Sequence, residues 1–267
     1  MKYQLGPLET KLIFSLEEEE KFVFTASEAR TLLNCSDDVL WKILHRLKQK
    51  GRIEEIRKGE YLLVPARAGY KTRWTEHPFF FVDYILDEYY VGYWTALNYW
   101  QMTEQIPRTI FIATTKRKRN FEFNEVTYFR FITISRHKFF GWKVEKFGGR
   151  NFRISDKEKT IVDSLDLPEY AGGILEVVKG LYSELDWGRL VEYANRLRNS
   201  AVHKRLGFLF EYLNIRLPDH ILTDLQSSIR SGYSWLDPTA PKRVIRYNSK
   251  WKIKINLPDY VFEGKEA

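Results

Sequence analysis

Between Thr25 and Val64 the apolar positions change period. Ala29, Leu32 and Leu33 fall on one face of a short helix. Thr25 can cap it, with Glu28 where a capping box needs it. After a break at Asn34 to Ser36, the residues Val39, Leu40, Ile43, Leu44 and Leu47 recur at helical spacing. They predict a second helix from Asp37 to Gln49, capped by Ser36 and stopped by Gly51. The pattern then predicts a strand over Ile53 to Arg57, a Lys58-Gly59 turn and a strand from Tyr61 to Val64. Upstream, Leu8, Leu12 and Leu16, with Ile13, predict a helix over Gly6 to Leu16 packed on this pair, and Glu17 to Glu20 read as its solvated end. Two helices and a basic hairpin are the order of a winged helix-turn-helix, assigned to residues 1–73.

Residues 74–267 read as a mixed α/β domain, entered through a linker at 65–78. Phe79 to Asp87 and Val91 to Met102 are expected helices, and Thr109 to Thr115, Phe129 to Ile134 and Phe139 to Phe147 expected strands, the last closed by a Gly148-Gly149 turn. Ser155 followed by Glu158 suggests a capping box opening the helix SDKEKTIVDSLD. Helices near 173–183, 187–197, 201–213 and 219–229 follow. Strands Arg243 to Tyr247 and Trp251 to Asn256, turned at Asn248-Ser249, close the chain. The order lacks the regular alternation of a barrel or doubly wound sheet.

Charge sharpens this picture. The 267 residues carry 43 basic and 35 acidic side chains, a net of +8, and residues 25 to 73 alone carry eleven Lys or Arg against six Asp or Glu. A helix of the first domain can enter a major groove and present Trp41, Lys42, His45, Arg46 and Lys48, with Arg57 and Lys58 at the wing. Asp37 and Asp38 suit the helix dipole but repel phosphate. A second basic run, Lys116, Arg117, Lys118 and Arg119, precedes Phe121 and Phe123. Charge and stacking there suit RNA, charge alone suits an acidic protein, and the two phenylalanines equally suit a strand that turns them into the core.

No catalytic constellation emerges. The five histidines lie far apart without metal-ligand spacing. Asp156, Glu158 and Lys159 echo a nuclease triad but crowd one helix start, and with Asp163 they read as helix-surface charges. No enzyme activity, metal or cofactor is therefore expected. The single cysteine, Cys35, excludes an internal disulfide and reads as a small buried residue. No apolar run has the length of a membrane span and the start lacks a secretory core, so a cytoplasmic protein is expected. No heptads mark a coiled coil, and a monomer is expected in free solution.

The chain resembles the AbiE-type (AbiEi) antitoxins and transcriptional regulators of type IV toxin-antitoxin systems. The likeness lies in YYVGYWTALNYW (89–100), EQIPRTIFIATTKRKR (104–119), FFGW (139–142), FRISDKEKTIVDSLDLPEYAGGILEVVKGL (152–181) and YANRLRNSAVHKRLGFLFEYL (193–213). The N-terminal order, ending in RKGEYLLVPARAG, fits as well. The resemblance implies an autorepressor that binds double-stranded DNA of its own promoter through Lys42, His45, Arg46, Arg57 and Lys58. It also implies that residues 78–257 counter a nucleotidyltransferase-like toxin, with or without direct contact. A stand-alone regulator or a protein-binding antitoxin module is the alternative. The resemblance assigns no role to the motif from Ser155 to Asp163.

Overall fold

The computed structural model describes residues 4–64, 79–123, 127–147 and 150–263. The chain divides into two units: residues 1–87, 120–129 and 147–150, and residues 88–119, 130–146 and 151–267. The linker at 65–78 and the Gly148-Gly149 turn lie outside the described residues.

In the first unit, α1 (Pro7–Glu18) is followed by β1 (Val23–Thr25), α2 (Ala26–Leu33), α3 (Asp37–Gln49), β2 (Ile53–Arg57) and β3 (Glu60–Leu63). The strands form an antiparallel sheet in the order β1-β3-β2. Its core joins Leu12 and Leu16 of α1 to Leu33, Leu40, Leu44 and Leu47, all nearly inaccessible. Burial of each such leucine stabilises the fold by roughly 1.5–3 kcal/mol. Leu8 departs from its expected role: it is 39% exposed, because the α1 start turns the buried carboxylate of Glu9 inward. Cys35 is half-buried in the turn between helices rather than buried.

The helix ends show which local signals carry weight. Thr25 Oγ1 accepts from the Glu28 N–H at 3.2 Å, and Glu28 Oε2 accepts from the Thr25 N–H at 2.6 Å, so the capping box forms as expected. Lys21 Nζ reaches the same carboxylate at 2.7 Å. Replacement Thr25→Ala is expected to cost about 1 kcal/mol. A urea midpoint unmoved in that variant, at unchanged m-value, would show the cap to be idle. Ser36 occupies the N-cap of α3 but makes no side-chain bond; Asp37 and Asp38 supply the first-turn charge instead. Gly51 ends α3 at φ +65°, the left-handed conformation that a helix stop of this kind uses.

The second unit is built on a mixed sheet and a helical layer. Its strands include β4 (Tyr90–Val91), β5 (Thr109–Thr114) and the larger parts of β7 (Thr127–Thr133), β8 (Trp142–Phe147) and β9 (Arg150–Ser155). With β6 (Phe121–Phe123) the order is β6-β7-β5-β4-β9-β8, and the β6 end of the β6–β7 hairpin belongs to the first unit. β4 pairs antiparallel with β5 and parallel with β9. The helices are α4 (Phe79–Ile85), in the first unit, then α5 (Tyr93–Tyr99), α6 (Lys157–Asp166), α7 (Ile174–Gly180), α8 (Trp187–Leu197), α9 (Ser200–Tyr212) and α10 (Asp219–Ser227). A small sheet of β10 (Ser234–Trp235), β12 (Ile253–Ile255) and β11 (Arg246–Asn248) packs on them. β4, β9 and β10 were not expected from the sequence, and the closing strands are shorter than expected.

Helix α6 is the centre of this layer, with every residue from Glu158 to Asp166 buried. Packing around it admits little change. A Cβ on Gly207 of α9 would fall 2.0 Å from the indole of Trp251, itself fully buried and donating from Nε1 to Glu211 at 2.7 Å. Arg205 of α9 donates to the carbonyls of Leu165, Trp235 and Leu236, tying α6 and β10 to the same helix.

Candidate nucleic-acid interface

Leu40, Ile43, Leu44 and Leu47 bury one side of α3, so the helical period turns Trp41, Lys42, His45, Arg46 and Lys48 to solvent, where the structure places all five. Trp41 is 51% exposed. The five do not act as one array. Lys48 sits at the edge nearest β2 and pairs with Glu55 at 2.8 Å, and His45 shares a 2.9 Å contact with Gln49. Lys42 and Arg46 lie toward α1, where with Leu8, Glu9, Val39 and Ile43 they line a cleft of about 190 Å³. Glu9 closes its floor, bonded to Lys50 and to the Gly6 N–H, with Oε1 unpartnered among the described residues. Burial raises the Glu9 carboxyl, but those bonds and the charges of Lys50 and Arg46 outweigh it and hold the group below its ordinary value.

Of the two aspartates at the α3 start, Asp37 pairs with Arg30 at 3.2 Å. No ion pair neutralises Asp38, Lys42, Arg46 or Lys58 among the described residues. Lys58 is exposed at the β2–β3 turn, where Gly59 takes φ +78° and its carbonyl accepts from the Ala26 N–H at 2.9 Å. Arg57 ends β2, and its side chain lies outside the described residues. On the loop after β5, Lys116, Arg117 and Arg119 are exposed and Lys118 is half-buried.

The motif from Ser155 to Asp163 corrects two expectations. Asp156, not Ser155, caps α6: its Oδ1 accepts from the Lys159 N–H at 2.8 Å. Ser155 ends β9 instead and shares a 2.7 Å hydrogen bond with Thr160. The charges are not on a helix surface. Lys159 is fully buried, its Nζ bonded to Asp163 and held 4.5 Å above the Phe140 ring. Tyr90 donates to the other Asp163 oxygen at 2.7 Å. Burial pushes the Asp163 carboxyl above its ordinary value against the pull of Lys159, and pushes the Lys159 ammonium down against the pull of Asp163. Burial also raises the Tyr193 phenol, with the charge of Asp156 adding to it, to about 12. Glu158 accepts from the Asp186 N–H at 2.9 Å, and Asp166 accepts from Asn199 at 2.6 Å and Lys138 at 2.5 Å. Each carboxylate of the motif is thus engaged by groups of the fold, and among the described residues no set of three His, Cys, Asp or Glu is placed to hold a metal.

Residues 11–64 match the family described as transcriptional regulator, AbiEi antitoxin. Over the whole chain the fold is similar to that in the crystal structure of the RV2827C protein from Mycobacterium tuberculosis, with a TM-score of 0.65 at 11% identity, covering 98% of this chain and 95% of that one. No curated protein matches the chain. No helix among the described residues is long and apolar enough to cross a membrane.

Proposed function

We propose that residues 1–73 are a winged helix-turn-helix that binds double-stranded DNA of the protein's own promoter, and that the chain is the antitoxin and autorepressor of a type IV pair. The observation that supports this best is the solvent face of α3, where Lys42 and Arg46 make no ion pair among the described residues, beside a turn that presents Lys58. In this reading α3 enters the major groove, Arg46 reads a base edge, and Lys42, Lys48 and Lys58 meet phosphate. Arg57 joins the wing contacts, while Trp41 and His45 border the reading face. Asp38 makes no ion pair among the described residues, and its repulsion falls on every sequence alike.

Electrophoretic mobility of the promoter fragment tests the DNA half. Arg46→Ala is expected to cost about 1–3 kcal/mol and to relax the preference over shuffled DNA. Lys58→Ala should weaken all duplexes alike and lower the salt slope by about one. A wild-type protein that binds promoter and shuffled DNA equally, or neither at low salt, overturns the reading.

The antitoxin half rests on the family of residues 11–64. Co-expression with an adjacent nucleotidyltransferase-like gene is expected to restore growth, and failure of the full chain to do so counts against it. The exposed Lys116, Arg117 and Arg119, with Lys118, are the proposed second contact surface, for a nucleic acid or an acidic protein. The free chain is proposed to be a cytoplasmic monomer without cofactor or enzyme activity, and light scattering should return 31.9 kDa.

A further inference from the structure

The small C-terminal sheet carries rings and cations in alternation on its solvent face. Register pairs Trp235 with Lys254 and Lys254 with Tyr247, so these three side chains project from the same side of β10, β12 and β11. Ile253 and Ile255 point the other way and are buried. Lys254 lies 5.1 Å from the Trp235 ring centre, and Lys252 lies 5.6 Å from that of Tyr233. Tyr233 stands edge-on to Tyr247 at 5.2 Å, and the two are 39% and 57% exposed.

The charge of this segment is one-sided. Residues 238 to 258 contain six Lys or Arg and no Asp or Glu. Arg246 and Lys250 are paired, with Asp259 and Glu211. No ion pair is made by Lys242, Arg243, Lys252 or Lys254 among the described residues. The scaffold beneath is rigid, since Trp251 is locked against Gly207 and Arg205 holds the carbonyls of β10. Exposed aromatic area is therefore fixed in place, with the half-buried Lys252 and Lys254 beside it.

We infer that this sheet face binds single-stranded RNA. Rings spaced among lysines match bases spaced among phosphates, and stacking of a base on an aromatic ring tolerates any sequence. A duplex keeps its base faces stacked inside, so it gains nothing from Tyr247. An acidic peptide gains charge but leaves the rings unused. RNA presents splayed, unpaired bases in its loops and ends. The lysines now over Trp235 and Tyr233 have long stems that let them swing to phosphate as a base takes the ring. This activity is separate from the duplex binding proposed for the first unit.

The test is fluorescence anisotropy of labelled oligouridylate, about a dozen nucleotides long to span such a surface, with the full chain. Binding should weaken as salt rises. Tyr247→Ala should lose about ten-fold in affinity, while Tyr247→Phe keeps it. Lys252→Glu with Lys254→Glu should abolish binding with the thermal melt unchanged. Lys42→Ala with Arg46→Ala and Lys58→Ala should leave it intact. Absence of binding, or indifference to Tyr247→Ala, overturns the inference. So does duplex DNA or polyglutamate bound by the Lys42, Arg46 and Lys58 triple variant as tightly as oligouridylate.

Discussion

Replacement Lys159→Ala is expected to destabilise the protein by roughly 3–5 kcal/mol at neutral pH, the range found when one partner of a buried ion pair is removed. Lys159 is inaccessible and its ammonium meets Asp163, whose other oxygen is already taken by Tyr90. Without the lysine, Asp163 is a buried carboxylate whose pKa in the fold rises further, since burial already raises it and its main counter-charge is gone. A carboxyl raised in the folded state stabilises below its unfolded pKa of about 3.9 and loses that contribution as pH rises through the folded value. The deficit of the variant should therefore grow from acid toward neutral pH in urea denaturation. Lys159→Met combined with Asp163→Asn should recover more than half of it, because the amide oxygen still accepts from Tyr90 while no charge is buried. A Lys159→Ala variant within 1 kcal/mol of the parent at pH 7 would show that the pair is dispensable, against a range of about 3–5 kcal/mol.

Gly207→Ala is expected to reverse the usual sign of such a change. In a helix interior, alanine in place of glycine ordinarily gains about 1 kcal/mol. Here the added methyl would stand 2.0 Å from the Trp251 ring, closer than atoms approach. Trp251 has nowhere to go: it is fully buried, and Glu211 holds its Nε1–H. A loss of roughly 3 kcal/mol, at the upper end of overpacking costs, is expected. Calorimetry of Gly207→Ala, Trp251→Leu and the double variant separates the clash from the lost indole. The double variant should be more stable than the sum of the single losses requires. Additive losses would mean that the clash relaxes elsewhere.

The elements that were legible in the sequence are those whose causes are local. The capping box at Thr25 and Glu28, the α3 stripe and the stop at Gly51 are decided within one or two helical turns. The two-residue strands β4 and β10 have no such signal, since they exist through partners far along the chain. At the start of α6 the sequence offers two caps in a row, Ser155 and Asp156; the choice is made by β9, which keeps Ser155 extended. Lys159 and Asp163 show the same spacing as any exposed helix pair, and only the helices packed around α6 make them interior. The solvent face of α3 was readable from its period. The contact of Lys48 with Glu55 and the cleft that gathers Lys42 and Arg46 beside Glu9 were not, because they depend on how β2 and α1 pack.

Surface turns are ordinarily where a chain accepts extra residues without harm. The Lys58-Gly59 turn is an exception by construction. The carbonyl of Gly59 satisfies the first amide of α2, and Glu60 just beyond it pairs with Thr25, the residue that caps the same helix. Lengthening the turn by one residue would shift both partners out of register and release the start of a helix more than thirty residues upstream. Diversification of this hairpin among descendants of the chain is thus confined to the identity of its side chains, with its length held fixed by a helix it does not follow.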